Sequence, residues 1–161
     1  MPRIPIDKIY MKIAYDIAQL SYAERRKVGC IIVKDDDQII SFGYNGTPHN
    51  FDNVCEDIFY GENNPKNKVI LKHEDMSIKT STKPEVLHAE SNAIAKLAKS
   101  TLSSKGAKLY ITMSPCYQCA KLIIQSGIVE VFYDEQYRDC DGIELLKKAN
   151  IKVTKLNPIY N

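Results

Sequence analysis

Two short stretches of this sequence hold residue types that can do chemistry together: His88-Ala89-Glu90, and Pro115-Cys116-Tyr117-Gln118-Cys119. Cys116 and Cys119 are three apart, so a helix starting there puts both thiolates on one face. A thiolate pair so placed holds zinc if a third ligand faces it, and His88 is the natural third. Neither stretch supplies a fourth strong ligand. Zinc held by three protein ligands keeps a position open for water, which is the catalytic arrangement rather than the structural one. The metal lowers the pKa of that water from about 15.7 to about 7. A carboxylate that is off the metal but beside it can take the proton and hand it on, and Glu90 is the candidate. Alone, Cys-x-x-Cys also fits a redox dithiol or half of a structural zinc knuckle. The pairing with His88 and Glu90 selects the catalytic reading.

These residues need a scaffold, and 161 residues suffice for a single domain over 1–161 with one substantial core. Hydrophobic residues at 44% and charged residues at 26% are ordinary for a globular chain. A net charge of +2, from 22 basic and 20 acidic side chains, gives no global electrostatic case for long nucleic acid, and a small substrate is expected. Five cysteines without a secretory segment suit a reducing cytoplasm. Lys8, Lys12 and Asp16 interrupt the apolar residues of the first twenty positions, so that stretch reads neither as a signal sequence nor as a membrane span.

In chain order, Ile9, Tyr10, Ile13, Ala14 and Ile17 recur at helical spacing over residues 7–20, with Asp7 placed as a cap. Residues 28–33 read as a buried strand, 34–37 as a hairpin turn and 38–44 as the returning antiparallel strand. From the turn Gly43-Tyr44-Asn45-Gly46-Thr47-Pro48 to Lys83 the chain reads as irregular and polar, a functional insertion over about 47–84 acting as a lid or regulatory element. Pro84-Glu85 is expected to open a helix to about Ser100, with His88 and Glu90 in its first turns and Glu90 held as carboxylate by the positive helix end. A strand over 107–112, a helix over 116–126 stopped by Gly127, a strand over 128–133, a helix over 142–150 and a strand over 151–153 follow. Right-handed crossovers make the later strands parallel, giving an α/β fold with a mixed five-stranded sheet and helices on both faces.

His-x-Glu followed by Pro-Cys-x-x-Cys is the signature of zinc deaminases acting on nucleobases. Within them the chain most resembles deoxycytidylate (dCMP) deaminases of the small bacterial and phage type. The resemblance runs through Lys27-Val28-Gly29, Gly43 to Pro48, His88-Ala89-Glu90-Ser91-Asn92-Ala93-Ile94, Ser114 to Ala120, and Tyr133 to Tyr137. It implies a cytidine-deaminase-like three-layer sandwich, one catalytic zinc, and hydrolysis of dCMP to dUMP and ammonia for thymidylate synthesis. It also implies that Asn45 contacts sugar or base, that Ala89 and Tyr137 lie near the substrate, and that Arg26 or Lys27 lies near the phosphate. A monophosphate needs charge-assisted donors, although Arg25-Arg26-Lys27 equally fits a solvated turn and Tyr137 a core aromatic.

Members of that family are also activated by dCTP and inhibited by dTTP, with Mg2+, between subunits of a homohexamer. The matching segment here is Gly43, Tyr44, Asn45 and Gly46, with Asp52, Asn53 and Glu56 of the insertion as carboxylate and amide donors near the magnesium. Some members hold a second, structural zinc. Cys55 and His73 could contribute to one, but residues 21–27 offer no cysteine, so a single zinc is expected. Cys30 reads as a core residue, Cys140 as a loop thiol, and His49 as either a pocket or a plain loop histidine. Deaminases of free cytidine, riboflavin precursors, guanine or tRNA adenosine compete with this reading. So does a zinc-stabilised binding module in which Glu90 is merely a surface acid.

Overall fold

The computed structural model describes residues 3–34, 38–60, 69–73 and 76–156. Its centre is Gly29–Lys34 (β1), buried from Gly29 to Val33, a pattern that requires cover on both faces of the sheet. β1 pairs antiparallel with Gln38–Tyr44 (β2) on one side and with Lys108–Met113 (β6) on the other. β6 runs parallel to Glu130–Glu135 (β7), and β7 parallel to Lys152–Lys155 (β8), giving the order β2-β1-β6-β7-β8. The turn expected at 34–37 falls largely on residues outside those described.

Alternation along the strands divides the core into two layers. Ile31, Val33, Tyr110 and Phe132 meet Tyr10, Met11 and Ala14 of the helix Ile6–Ala18 (α1) on one face. Cys30, Ile32, Leu109, Ile111 and Val131 meet the other three helices on the opposite face: Ala89–Leu97 (α2), Tyr117–Gln125 (α3) and Asp141–Lys148 (α4). This is the expected three-layer sandwich. No helix among the described residues is long and apolar enough to cross a membrane.

Three local expectations differ from what is found. Asp7 lies in the first turn of α1 rather than at its cap, which is Pro5, and its carboxylate accepts a hydrogen bond from the Tyr110 hydroxyl at 2.6 Å. The helix expected from Pro84 begins only at Ala89, with His88 as its N-cap. Residues 84–85 turn instead, and the Leu87 N–H donates to the Gly46 carbonyl at 2.8 Å while the Gly46 N–H donates back at 3.1 Å, so this backbone is tied to the turn after β2 before helix can start. The insertion is not irregular. Glu56–Tyr60 (β3), Val69–His73 (β4) and Met76–Thr82 (β5) form a second antiparallel sheet in the order β3-β5-β4. Val69, Ile70, Ile78, Thr80 and Thr82 supply its β-branched character, which the polar residues among them obscure in the sequence.

Two glycines set the spacing around the site. A Cβ on Gly43 would strike the Ala89 carbonyl oxygen and lie 2.6 Å from the Ala93 nitrogen, so only glycine lets α2 lie this close to β2. At Gly142 a Cβ would strike the Pro115 carbonyl oxygen and lie 2.8 Å from the Cys116 carbonyl carbon, so α4 closes on the cysteine loop in the same way.

Candidate active site

α2 and α3 each begin with a chemically active residue as N-cap, His88 on one and Cys116 on the other, and Cys119 lies within the first turns of α3. His88 Nδ1 is 3.5 Å from Cys116 Sγ and 3.4 Å from Cys119 Sγ. Tetrahedral zinc with ordinary Zn–N and Zn–S bonds would separate such atoms by about 3.5 Å. The three donor atoms lie within 4.8 Å of one another, and no other group of three or more such ligands occurs among the described residues. The set is also chemically ready to exchange protons for a cation. A hydrogen bond from Cys119, reinforced by His88, holds the Cys116 thiol down at about 3, while the same sharing and burial push Cys119 up. His88 is raised, first by its hydrogen bond to Cys116. Nitrogen and sulfur donors in this geometry fit zinc.

Glu90, the second residue of α2, is 3% exposed. Burial raises its carboxyl to about 7, against the opposing pull of its own backbone N–H and of His88. Desolvation thus opposes the helix end, which the sequence pointed to as holding Glu90 in its carboxylate form. A carboxyl poised near neutrality suits a group that must both accept and return a proton.

A cavity of about 620 Å3 opens over these groups. Ala89 and Glu90 line it beside His88 and Cys116. Asn45 lines it as well, but its side chain is engaged with backbone: Oδ1 accepts from the Val28 N–H and Nδ2 donates to the Arg26 carbonyl, both at 2.8 Å. Arg26 lines the cavity and its Nη1 meets Glu135 Oε2 at 2.6 Å, whereas Lys27 is not among the lining residues. Tyr137 contributes its ring, with the Arg138 guanidinium 5.2 Å from the ring centre, and its N–H donates to Ser114 Oγ at 2.8 Å.

Of the residues expected at an effector site, Asn45 and Glu56 line this cavity and the others do not, while the Thr47 hydroxyl next to Gly46 donates to the Asp52 carbonyl. Gly43, Tyr44 and Gly46 are absent from the cavity lining; the Tyr44 ring lies 5.3 Å from Lys96 Nζ. Asp52 and Asn53 are exposed, and Asp52 Oδ1 lies 3.6 Å from Lys83 Nζ. Glu56, by contrast, is buried in the cavity wall, where Oε1 accepts from the N–H groups of Glu24 at 3.2 Å and Arg25 at 3.4 Å. Cys55 packs with Ala23 and Val86 in a small apolar cluster, Cys30 lies in the main core, Cys140 and His49 are exposed, and the His73 side chain lies outside the described residues.

The sequence reading missed Arg25, Arg138, Thr80 and Thr82, all of which line the cavity. Arg25 Nη1 donates to Thr82 Oγ1 at 3.1 Å. The i, i+2 spacing of Thr80 and Thr82 would have placed both on one face of a strand, had that strand been recognised.

The motif, the three ligand atoms and the layered fold converge with comparison to known proteins. The family description "Cytidine and deoxycytidylate deaminase zinc-binding region" matches residues 5–135. The chain belongs to this family and is a hydrolytic deaminase. Within the family it is similar to deoxycytidylate deaminases. The mouse deoxycytidylate deaminase is 35% identical over 94% of this chain and 80% of its own length. That of Enterobacteria phage T4 is 36% identical over 89% of this chain and 86% of its own. The crystal structure of the dCMP deaminase of cyanophage S-TIM5 in complex with dCMP and dUMP is 39% identical, covers 97% of this chain and 100% of that one, and superposes with a TM-score of 0.78.

Proposed function

We propose that the chain hydrolyses dCMP to dUMP and ammonia. The observation that carries the proposal is one cavity whose wall holds His88 and Cys116 of the zinc-type ligand set, the buried acid Glu90, and three arginines, Arg25, Arg26 and Arg138. Guanidinium groups suit a phosphate, which a free nucleoside lacks. Similarity to deaminases of deoxycytidylate supports the same substrate.

His88, Cys116 and Cys119 would hold zinc, which supplies a Lewis acid that activates water at neutral pH. Glu90 would take a proton from the attacking water and deliver it to N3 of the pyrimidine as the water oxygen adds at C4. A further proton passed by Glu90 leaves with the amino group, so that dCMP and water balance dUMP and ammonia. Asn45 holds the backbone of residues 26–28 and thereby the direction of Arg26. Tyr137 and Ala89 bound the substrate.

The test is loss of cytosine absorbance with dCMP, deoxycytidine and dCTP. Turnover of dCMP far above deoxycytidine is expected, and Arg26→Ala should raise KM for dCMP while leaving deoxycytidine unaffected. Equal turnover of nucleoside and nucleotide would refute phosphate recognition.

The proposal extends to regulation, by resemblance: dCTP as activator and dTTP as inhibitor, each with Mg2+, at Gly43 to Gly46 with the exposed Asp52 and Asn53, in a homohexamer. Titrating dTTP with Mg2+ against dCMP turnover tests it, and unchanged activity at saturation would refute it. Five free cysteines support a reducing, cytoplasmic setting.

A further inference from the structure

The second sheet does more than interrupt the fold, because one of its faces is a wall of the cavity. Glu56 of β3 stands opposite Thr82 of β5, and Ile58 opposite Thr80, so Glu56, Thr80 and Thr82 project from the same side. All three line the cavity with His88, Cys116 and the arginines. Thr82 is engaged by Arg25, and Glu56 Oε1 is fixed by two backbone N–H groups. Thr80 is different. It is 3% exposed and its Oγ1 has no hydrogen-bond partner among the described residues. A buried hydroxyl left so is costly unless something entering the cavity satisfies it.

We propose that Thr80 and Glu56 form the subsite for the sugar hydroxyl of the substrate, so that the insertion's sheet helps select what the enzyme accepts. This rests on the nucleotide reading above. In that reading the reacting end of the base faces Glu90 and the phosphate faces the arginines, which leaves the sugar between them. A carboxylate repels a phosphate and only accepts hydrogen bonds, so the group facing Glu56 must be a neutral donor. A hydroxyl fits both residues, since it donates to Glu56 and accepts from Thr80. In a 2′-deoxynucleotide with its 5′ oxygen esterified, the free sugar hydroxyl is the 3′-OH.

The test measures binding to zinc-loaded Glu90→Gln protein, so that ligands stay intact, by calorimetry with dCMP and with 2′,3′-dideoxycytidine 5′-monophosphate. The expected preference for dCMP is about ten- to a hundredfold, the range for a hydrogen bond to a charged group. Adding Thr80→Val should shrink that ratio by weakening dCMP alone, Glu56→Gln should shrink it too, and Thr80→Ser should keep it. Equal binding of the two nucleotides, or a Thr80→Val protein that loses both equally, would overturn the subsite while leaving dCMP as substrate. If neither nucleotide binds, deoxycytidine and 2′,3′-dideoxycytidine pose the same question: a preference for deoxycytidine upholds the subsite and refutes phosphate recognition, and no preference or no binding refutes the subsite.

Discussion

At Glu90, burial and chemistry require the same thing. A carboxyl excluded from water and raised to about 7 is costly as a structural feature, and the opposing pull of His88 does not outweigh its burial. A surface acid on a binding module would have no such environment. Glu90→Gln keeps the shape and removes the proton transfer, so kcat for dCMP should fall by about 10²- to 10⁴-fold with zinc content unchanged by elemental analysis. Unchanged turnover would return Glu90 to a structural role. Asn45 makes a second residue-level case. Its amide joins the Val28 N–H to the Arg26 carbonyl, so Asn45→Ala should act through the arginine loop, raising KM for dCMP more than it lowers kcat. A loss confined to kcat would show that Asn45 acts on the base instead. Glu90 and the three metal ligands were legible in the sequence because Cys116 and Cys119 share a helix face by spacing and the His-x-Glu stretch supplies the missing third ligand and an acid beside it. Arg138 and Thr80 were not, because only the folded chain brings them to the same cavity.

The elements transmit precision to that chemistry through close backbone contacts. α2 carries His88 at its cap and Glu90 in its first turn, and it sits where it does because Gly43 leaves room against Ala89 and Ala93. Gly43→Ala should therefore push α2 away from β2, costing about 1–3 kcal/mol by denaturant unfolding and lowering zinc affinity at the same time. Full stability with normal zinc affinity would mean that the helix can shift without moving its N-terminus. That packing role was not legible in the sequence, where Gly43 reads as part of a turn and an effector motif. The five main strands, the antiparallel first pair and the parallel run of the later strands were legible, because short apolar runs separated by helical periodicity leave few topologies open, whereas the antiparallel pairing of β1 with β6 was not. The start of α2 was misread for a specific reason: proline at position 84 mimics a first helical residue, while the bridge between Gly46 and Leu87 that delays the helix is a contact between segments about forty residues apart. The second sheet escaped notice because charged and hydroxyl residues interrupt its alternation.

For the whole molecule, the question is whether zinc builds the fold or only arms it. The two main buried clusters lie on opposite faces of the five-stranded sheet and are assembled from its strands with α1 and with α2 to α4, with no ligand residue among their members. His88, Cys116 and Cys119 instead sit at the starts of two helices already packed on that sheet. A small zinc module that lacks such a core unfolds when its metal is removed. Here the core should persist, and chelation should abolish dCMP turnover while leaving a cooperative thermal transition. Zinc at about a thousandfold above its dissociation constant contributes on the order of 4 kcal/mol to the native state, so its removal should lower Tm by about 10 °C in a domain of this size. Circular dichroism of the chelated protein checks this directly. A native-like spectrum with a lower Tm, and turnover restored by added zinc, would place the metal in the chemistry; loss of the spectrum on chelation would mean that the helix starts cannot hold their positions against one another without it.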